Sequence, residues 1–268
     1  MMIHAKKSLG QNFLNSKTVT RDIIRASDLL PSDTVLEIGP GKGFLTSELL
    51  ASGARVIAVE KDDRMIPILS EKFSEETKRK QFTLVHGDIM EILNHQNFFS
   101  KNMGGQSYKL VANIPYYLTG QIIRTFLEAK EKPERMILMV QKEVATRIVA
   151  RDKKESILSI AVKAYGAPKL IKKVSARYFT PAPKVDSAIL SIENISGKNF
   201  PNKSAEQRFF EIVRTGFAHK RKILAGNLKE IFGESTLTTL KEAGVSDNTR
   251  AEDITLDQWL NITLRYRR

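Results

Sequence analysis

The run Val35-Leu36-Glu37-Ile38-Gly39-Pro40-Gly41-Lys42-Gly43-Phe44-Leu45-Thr46 decides the fold. An apolar, β-branched segment carrying one acid leads into three glycines at alternate positions, and an amphipathic segment begins directly after them. That order describes a buried parallel strand turning sharply into a helix. Glycine has no Cβ, so such a turn can take positive φ and let a ligand lie against its backbone.

Three nucleotide-binding readings compete for the turn. A Walker loop needs GxxxxGK followed by Ser or Thr, which Gly41-Lys42-Gly43 does not supply. A dinucleotide fingerprint wants GxGxxG, and the spacing here is GxGxG. The third is the ExGxGxG turn of methyltransferases that use S-adenosylmethionine. There the backbone meets a methionine moiety and a ribose, with no pyrophosphate on the helix N-terminus. A glycine-rich turn without a ligand is the alternative to all three. Alone, the turn supports a nucleoside-type cofactor and nothing narrower.

Working outward, Lys6-Lys7-Ser8-Leu9-Gly10-Gln11-Asn12-Phe13-Leu14-Asn15 is a basic, polar arm. Val19, Ile23, Ile24, Ala26 and Leu30 predict an amphipathic helix capped by Ser16 or Asn15. Pro31-Ser32-Asp33 turns into the first strand, and the helix after the glycines runs from Phe44 to about Ala51, with Gly53 as its stop. Arg55-Val56-Ile57-Ala58-Val59 is a second strand ending at Glu60. An acid about twenty residues past such a turn accepts from ribose hydroxyls in doubly wound sheets; a solvent-facing glutamate is the alternative. A helix from Asp62 holds Pro67 in its opening turns. Phe82-Thr83-Leu84-Val85-His86 is the third strand, and Asp88 at its end can accept from the exocyclic amine of an adenine. His95 to Ser107 reads as a surface loop.

The fourth strand, Tyr108 to Ala112, runs into Asn113-Ile114-Pro115-Tyr116, after which Thr119 is expected to cap a helix through Ile122, Ile123, Phe126 and Leu127. An exocyclic amine of adenine or cytosine is a poor nucleophile, because its lone pair is delocalised into the ring. Two acceptors against its hydrogens, the Asn113 side-chain oxygen and the Ile114 or Pro115 carbonyl, would favour a pyramidal nitrogen able to attack a sulfonium methyl. Proline offers no N–H to compete, and Tyr116 would stack on the base. Catalysis is then positioning and electrostatics, without a strong base. A strand-end turn with a packed tyrosine is the bland alternative. Phe179, ahead of Pro181 and Pro183, is a candidate second face for an extruded base, against a core phenylalanine in an extended connector.

Met136 to Val140 is a fifth, buried strand followed by a helix from Glu143 to about Ala150 and a charged loop Arg151 to Glu155. Strands at Leu170 to Val174 and Val185 to Ile192 flank the Pro-rich link. From Ser196 onward the pattern is helical only, with capping boxes at Ser204/Gln207 and Thr255/Gln258. This predicts two domains, 1–195 and 196–268.

Across 268 residues, 43 Lys and Arg against 30 Asp and Glu leave a net charge of +13. Such an excess favours a polyanion, most often nucleic acid. A basic but non-binding surface, or one touching anionic lipid, is the alternative. The chain has no cysteine, which removes disulfides, thiolate catalysis and the usual zinc sets. His4, His86, His95 and His219 show no metal spacing, so no metal is expected. The first residues lack a signal-peptide core, and no apolar run approaches the roughly 18 residues of a membrane helix. A cytoplasmic location is expected.

Taken in order, Gln11-Asn12-Phe13-Leu14, Glu37 to Gly43, Gly87-Asp88, Asn113 to Tyr116 and Phe179-x-Pro-x-Pro-x-Val185-Asp186-Ser187 closely resemble the ribosomal RNA adenine N6,N6-dimethyltransferases of the KsgA type. The resemblance covers essentially the whole chain. It implies an α/β fold: a class I, Rossmann-like methyltransferase domain with a seven-stranded, mostly parallel sheet, plus a small all-α C-terminal domain. It implies S-adenosylmethionine as cofactor, contacted by Asn12, Leu14, Gly39, Gly41, Glu60, Asp88 and Asn113. Asn113, Ile114, Pro115, Tyr116 and Phe179 would hold the target base. Lys220, Arg221 and Lys222, read as lying on a helix, resemble part of an RNA-facing surface, with a solvated helix face as the alternative. The implied substrate is small-subunit rRNA or an assembling small subunit, where two adjacent adenines near the 3′ end are each methylated twice; a monomer is expected.

Relatives that methylate large-subunit rRNA and confer macrolide resistance share the Gln-Asn-Phe arm and the Asn-Pro-Tyr site. Pro40, the Lys220-Arg221-Lys222-Ile223-Leu224-x-x-Asn227-Leu228 run and Arg250 to Thr255 resemble the small-subunit type instead. Ser16, where that family often has Asp, and Ile223, where Thr is frequent, depart from it. An RNA-binding assembly factor is a further alternative, against which the intact Asn-Ile-Pro-Tyr site speaks.

Overall fold

The structure, a computed structural model, describes residues 5–6, 9–93 and 98–266. Among the described residues nine strands form: β1 (Phe13–Leu14), β2 (Thr34–Ile38), β3 (Arg55–Glu60), β4 (Phe82–His86), β5 (Lys109–Asn113), β6 (Arg135–Gln141), β7 (Ala167–Val174), β8 (Phe179–Thr180) and β9 (Ser187–Glu193). Seven lie in one sheet in the order β4-β3-β2-β5-β6-β9-β7, while β1 and β8 pair antiparallel as a separate ribbon. β2 is parallel to β3 and β5, β3 to β4, and β5 to β6; β9 returns antiparallel to β6. The sheet is the mostly parallel, seven-stranded one that the sequence resemblance implies.

The strand sequences account for this order. All five residues of β2 are buried, and β3 and β5 are continuous apolar runs, as expected of strands covered on both faces. The chain builds β2, β3 and β4 outward in one direction, then crosses back to lay β5 on the other side of β2. That reversal opens a crevice at the carboxyl ends of β2 and β5, where open α/β sheets bind ligands. Gly39 follows β2 and Asn113 ends β5, so topology alone brings the two strongest motifs to one edge.

The chain divides into two compact units, one of 1–145 with 168–195 and a second of 146–167 with 196–268. The segment 146–167, expected in the first domain, therefore belongs with the C-terminal helices. Its helix Ile157–Tyr165, for which the sequence suggested no element, carries Tyr165 into a ring cluster with Phe200 and Phe210, at 5.4 and 6.0 Å between centroids. Elsewhere in this unit Trp259 is fully buried, and a Cβ on Gly216 would sit 2.4 Å from its ring. Helices Lys203–Gly216 and Leu256–Leu264 can approach that closely only because residue 216 is a glycine.

Several local expectations change. The segment expected as a loop over 95–107 contains a helix, Phe98–Met103, and its first part, with His95, lies outside the described residues, as do Lys7 and Ser8 of the arm. Thr119 does not cap its helix; a 3-10 turn, Tyr116–Leu118, leads in and the Thr119 hydroxyl is buried without a partner. Asn202, not Ser204, caps helix Lys203–Gly216 by accepting from Ala205 N–H at 2.9 Å, because the helix starts two residues earlier than the box requires. The Thr255/Gln258 box is formed. Among the described residues, no helix is long and apolar enough to cross a membrane.

Candidate active site

A cleft of about 500 Å³ opens along the carboxyl edge of β2, β3, β4 and β5, within the first unit. Its size falls in the range of sites for drug-sized and nucleoside-sized ligands. The glycine turn is its floor. Gly39, Gly41 and Gly43 have φ of +66°, +56° and +70°, a region costly for residues with a Cβ. A Cβ on Gly41 would press the Phe13 ring at 3.0 Å, whereas a Cβ on Gly39 would meet nothing within 4 Å. The backbone at Gly39 is thus open to a ligand.

The turn's amides explain which ligand it suits. Gly39 N–H donates to Val59 O at 2.9 Å, Gly43 N–H to Pro40 O at 2.9 Å, and Gly41 N–H to Glu60 Oε2 at 3.0 Å; Pro40 has no N–H. These three glycine amides are engaged internally, so they are not the free donors a phosphate nest requires. Lys72 Nζ closes the other side, donating to Gly43 O at 2.8 Å and Lys42 O at 3.2 Å.

Glu60 ends β3 as a buried carboxylate, and its second oxygen accepts from Asp62 N–H at 2.8 Å. Burial pushes its pKa up, against the lowering by these backbone donors. Each carboxylate oxygen has a further lone pair, so ribose hydroxyls can still be accepted. Asp88, just past β4, accepts from Met90 N–H at 2.8 Å and pairs with Lys61 Nζ at 2.6 Å. Burial opposes its charge, but Lys61 and the Met90 amide outweigh burial and hold the carboxyl below its usual range. Ile89 adds an apolar wall beside it.

Asn113 closes the far side. Its Nδ2 donates to the Asn12 carbonyl at 3.1 Å. A carbonyl can only accept, so this bond fixes which way the carboxamide faces and leaves Oδ1 turned away from the arm. Among the described residues nothing donates to Oδ1. The Pro115 carbonyl accepts from Leu118 N–H at 3.0 Å, while no donor among the described residues reaches the Ile114 carbonyl. Of the two carbonyls left open by the sequence, Ile114's is the free one. Tyr116 donates or accepts at 2.6 Å with the buried Ser187 Oγ on β9. Burial raises its pKa, so the phenol keeps its proton.

The N-terminal arm forms a wall. Asn15 Nδ2 donates to Thr180 Oγ1 at 2.8 Å and Asn15 N–H to Tyr178 O at 3.0 Å, continuing the β1–β8 ribbon. At its other end Gln11 Nε2 donates to Asp62 Oδ2 at 2.8 Å. Asp62 is 1% exposed and also receives Arg64 Nε and Nη2 at 2.9 and 2.6 Å. The Arg64 hydrogen bond, opposed by burial and joined by Gln11, holds the Asp62 carboxyl well below the usual carboxylate range. Neither Asp62 nor the Ser187 bond was singled out from sequence. An acid two residues after a strand-end acid carries no pattern of its own; only the fold puts it against Gln11.

Asn12, Leu14, Gly39, Gly41, Glu60, Asp88, Asn113, Ile114, Pro115 and Tyr116 all line this one cleft. Phe179 does not. It is 3% exposed inside the apolar core cluster, because its β8 register places it opposite Leu14 and turns its ring inward; Thr180 lines the cleft instead. Lys220, Arg221 and Lys222 are exposed but lie in the turn between helices Lys203–Gly216 and Leu224–Phe232, not on a helix. Asn227 Nδ2 anchors that turn, donating to Gly216 O at 2.7 Å and His219 O at 3.2 Å.

The profile of the family "Ribosomal RNA adenine dimethylase" matches residues 2–268. A protein of Dehalococcoides mccartyi named "Ribosomal RNA small subunit methyltransferase A" is 42% identical over 267 residues, covering 98% of this chain and 89% of the relative. One of the same name from Clostridium botulinum is 39% identical over 257 residues, 94% of this chain and 90% of the relative. Among solved structures, the 23S rRNA methyltransferase ErmE superposes with a TM-score of 0.75 at 26% identity, covering 95% and 99% of the two chains. A dimethyladenosine transferase from Plasmodium falciparum gives 0.76 at 24%, covering 95% and 97%.

Proposed function

The chain belongs to the ribosomal RNA adenine dimethylase family, and from that membership and the cleft we infer an S-adenosylmethionine-dependent methyltransferase acting on adenine N6 in small-subunit rRNA. The finer reading is that two adjacent adenines near the 3′ end each receive two methyls, on an assembling particle, by a cytoplasmic monomer. The second unit would serve as its RNA-binding part. Fold likeness does not separate the subunit targets, since the 23S enzyme superposes at a TM-score of 0.75 beside 0.76 for the dimethyladenosine transferase. Sequence does: 42% identity to a small-subunit methyltransferase stands against 26% to the 23S enzyme.

The observation that carries the chemistry is the fixed Asn113 carboxamide at the same sheet edge as the open Gly39 backbone. The residues present fit a nucleoside with a short charged tail: Glu60 for ribose hydroxyls, Asp88 and Ile89 for an adenine, and glycine amides already engaged within the turn. When bound, S-adenosylmethionine supplies an electrophilic methyl on a sulfonium. Asn113 Oδ1 and the Ile114 carbonyl would accept from the two N6–H groups of the target adenine in the first transfer, and one of them from the remaining N6–H in the second, drawing the nitrogen lone pair out of conjugation. Each transfer would leave the thioether and release the surplus N6 proton to solvent. Tyr116, tethered by Ser187, presents a ring that can hold the base by stacking. From Asn113 to Tyr116 the only ionisable side chain is a phenol that keeps its proton, so the protein contributes orientation and electrostatics. Phe179 would join the base only if its ring left the core.

Purified protein given labelled S-adenosylmethionine should modify undermethylated small subunits and spare mature ones. Label confined to large-subunit rRNA would move the assignment to the 23S type. Asn113→Ala should lose turnover by about 100-fold or more while RNA binding survives. Unchanged turnover in that variant would reject the mechanism, and methylation by the wild type that is lost in the variant while RNA binding is kept separates an enzyme from a pure assembly factor.

A further inference from the structure

We propose that Asp62 is a positioning residue for methyl transfer: it clamps Gln11 so that the neighbouring Asn12 carbonyl holds the Asn113 carboxamide in its reactive orientation. The inference rests on the methyltransferase reading of the cleft and adds a residue to it.

A continuous path of hydrogen bonds carries it. Gly41 N–H and Asp62 N–H bind the two oxygens of Glu60 at 3.0 and 2.8 Å. The Asp62 side chain, fully enclosed, receives Gln11 Nε2 at 2.8 Å and Lys6 Nζ at 3.4 Å from the arm, and Arg64 from its own loop. Lys6 N–H in turn donates to Gln11 Oε1 at 2.8 Å, so both ends of the Gln11 carboxamide are engaged. One residue on, the Asn12 carbonyl receives Asn113 Nδ2 at 3.1 Å. The path runs from the cofactor turn, across the arm, to the group that grips the target amine.

The chemistry of the pairs sets the order of importance. The Asp62 contacts from Arg64 and Lys6 are charge-assisted, and its Gln11 contact is made to an ionised acceptor, so each is stronger than a neutral bond. The Asn12–Asn113 bond is neutral and single. It acts at the joint between two stronger anchors of the arm, the β1–β8 ribbon that begins at Phe13 and the Gln11–Asp62 contact, and it depends on both to keep the Asn12 carbonyl in place. A shift of the arm by about an ångström would free the Asn113 amide to rotate, and misplacement of that size costs roughly 10- to 100-fold in rate.

The test compares Asp62→Asn, Gln11→Leu and the double variant, reading kcat on undermethylated small subunits, KM for S-adenosylmethionine and thermal melting. Each single variant is expected to lower kcat by about tenfold or more. Because both act through the same arm, the double variant should lose no more than the worse single. Losses that multiply, or a lower melting temperature with kcat unchanged, would mean that Asp62 only stabilises the loop after Glu60 and would overturn the positioning role. Should Asp62→Asn fail to fold, Gln11→Leu on its own decides: kcat within about threefold of wild type overturns the proposal. Wild-type protein that methylates no small-subunit RNA would overturn the functional reading and this inference together, whereas an active wild type with unaffected variants overturns this inference alone.

Discussion

Glu37, next to last in β2 and two positions before Gly39, is 1% exposed. Burial raises its pKa from 4.5 to about 8, opposed by the Thr46 hydroxyl bond at 2.7 Å, with Glu60 adding to the rise and Lys72 opposing it. The folded chain therefore keeps a proton between those values that the unfolded chain has released. Its stabilising contribution is complete below about pH 4.5 and is lost as pH rises through about 8. Glu37→Gln, which keeps the shape and cannot ionise, should flatten the stability profile over that window and raise the melting temperature at pH 8. A variant whose melting curve tracks wild type at every pH would show that Glu37 is not the titrating group. Glu60, at the end of the neighbouring strand β3, is raised by burial as well, but the amides of Asp62 and Gly41 on its two oxygens oppose the rise.

Elements whose signal is local were legible in the sequence. The helix Lys17–Ser27 begins where Ser16 predicts, with Val19 N–H on Ser16 Oγ at 3.4 Å and no acid in its first turn. That bond is long, so Ser16→Ala should cost only about 0.5–1 kcal/mol, and Ser16→Asp should gain about 0.5 kcal/mol by adding charge at the positive end of the helix. Equilibrium unfolding in denaturant measures both; a stabilising Ala variant would remove Ser16 from the cap. β2, β3, β4, β5 and β6 were legible for the same reason, as apolar runs closed by turn residues. What escaped depended on partners far along the chain. β1 and β8 are two residues each and exist only through each other, so no window of sequence announces them. Their pairing is also what turns Phe179 inward, against the expectation from its Pro-rich context. The helix Ile157–Tyr165 is apolar on too many sides to show a clear period, and its Ser156/Ser159 box lacks the acid or amide that marks the motif. At the site, the residue types and strand ends were readable, while the choice of Ile114 over Pro115 as free acceptor and the role of Asp62 needed the folded hydrogen bonds.

At the scale of the whole molecule, the net charge of +13 has to act where catalytic positioning does not. The cations in and behind the cleft are engaged: Lys61 with Asp88, Lys42 over the Phe13 ring at 5.1 Å, Lys72 with the glycine-turn carbonyls and Arg64 with Asp62. The turn after helix Lys203–Gly216 is different. Lys220, Arg221 and Lys222 are exposed there, and the buried Asn227 fixes their backbone through Gly216 and His219. A rigid turn presenting three cations suits a phosphate backbone, which gives register and affinity without reading sequence. Each phosphate neutralised releases condensed counterions, so the three together should contribute about 2 to 3 units to the slope of log K against log salt. Replacing all three by Ala should therefore weaken binding to undermethylated small subunits most at low salt, with the two affinity curves converging as salt rises. S-adenosylhomocysteine affinity, a property of the first unit, should be the same in both proteins. A triple variant with an unchanged salt slope would place the RNA-facing surface elsewhere. A changed slope together with weakened cofactor binding would mean that the substitutions disturb the first unit as well, and the turn could not then be credited with phosphate contact.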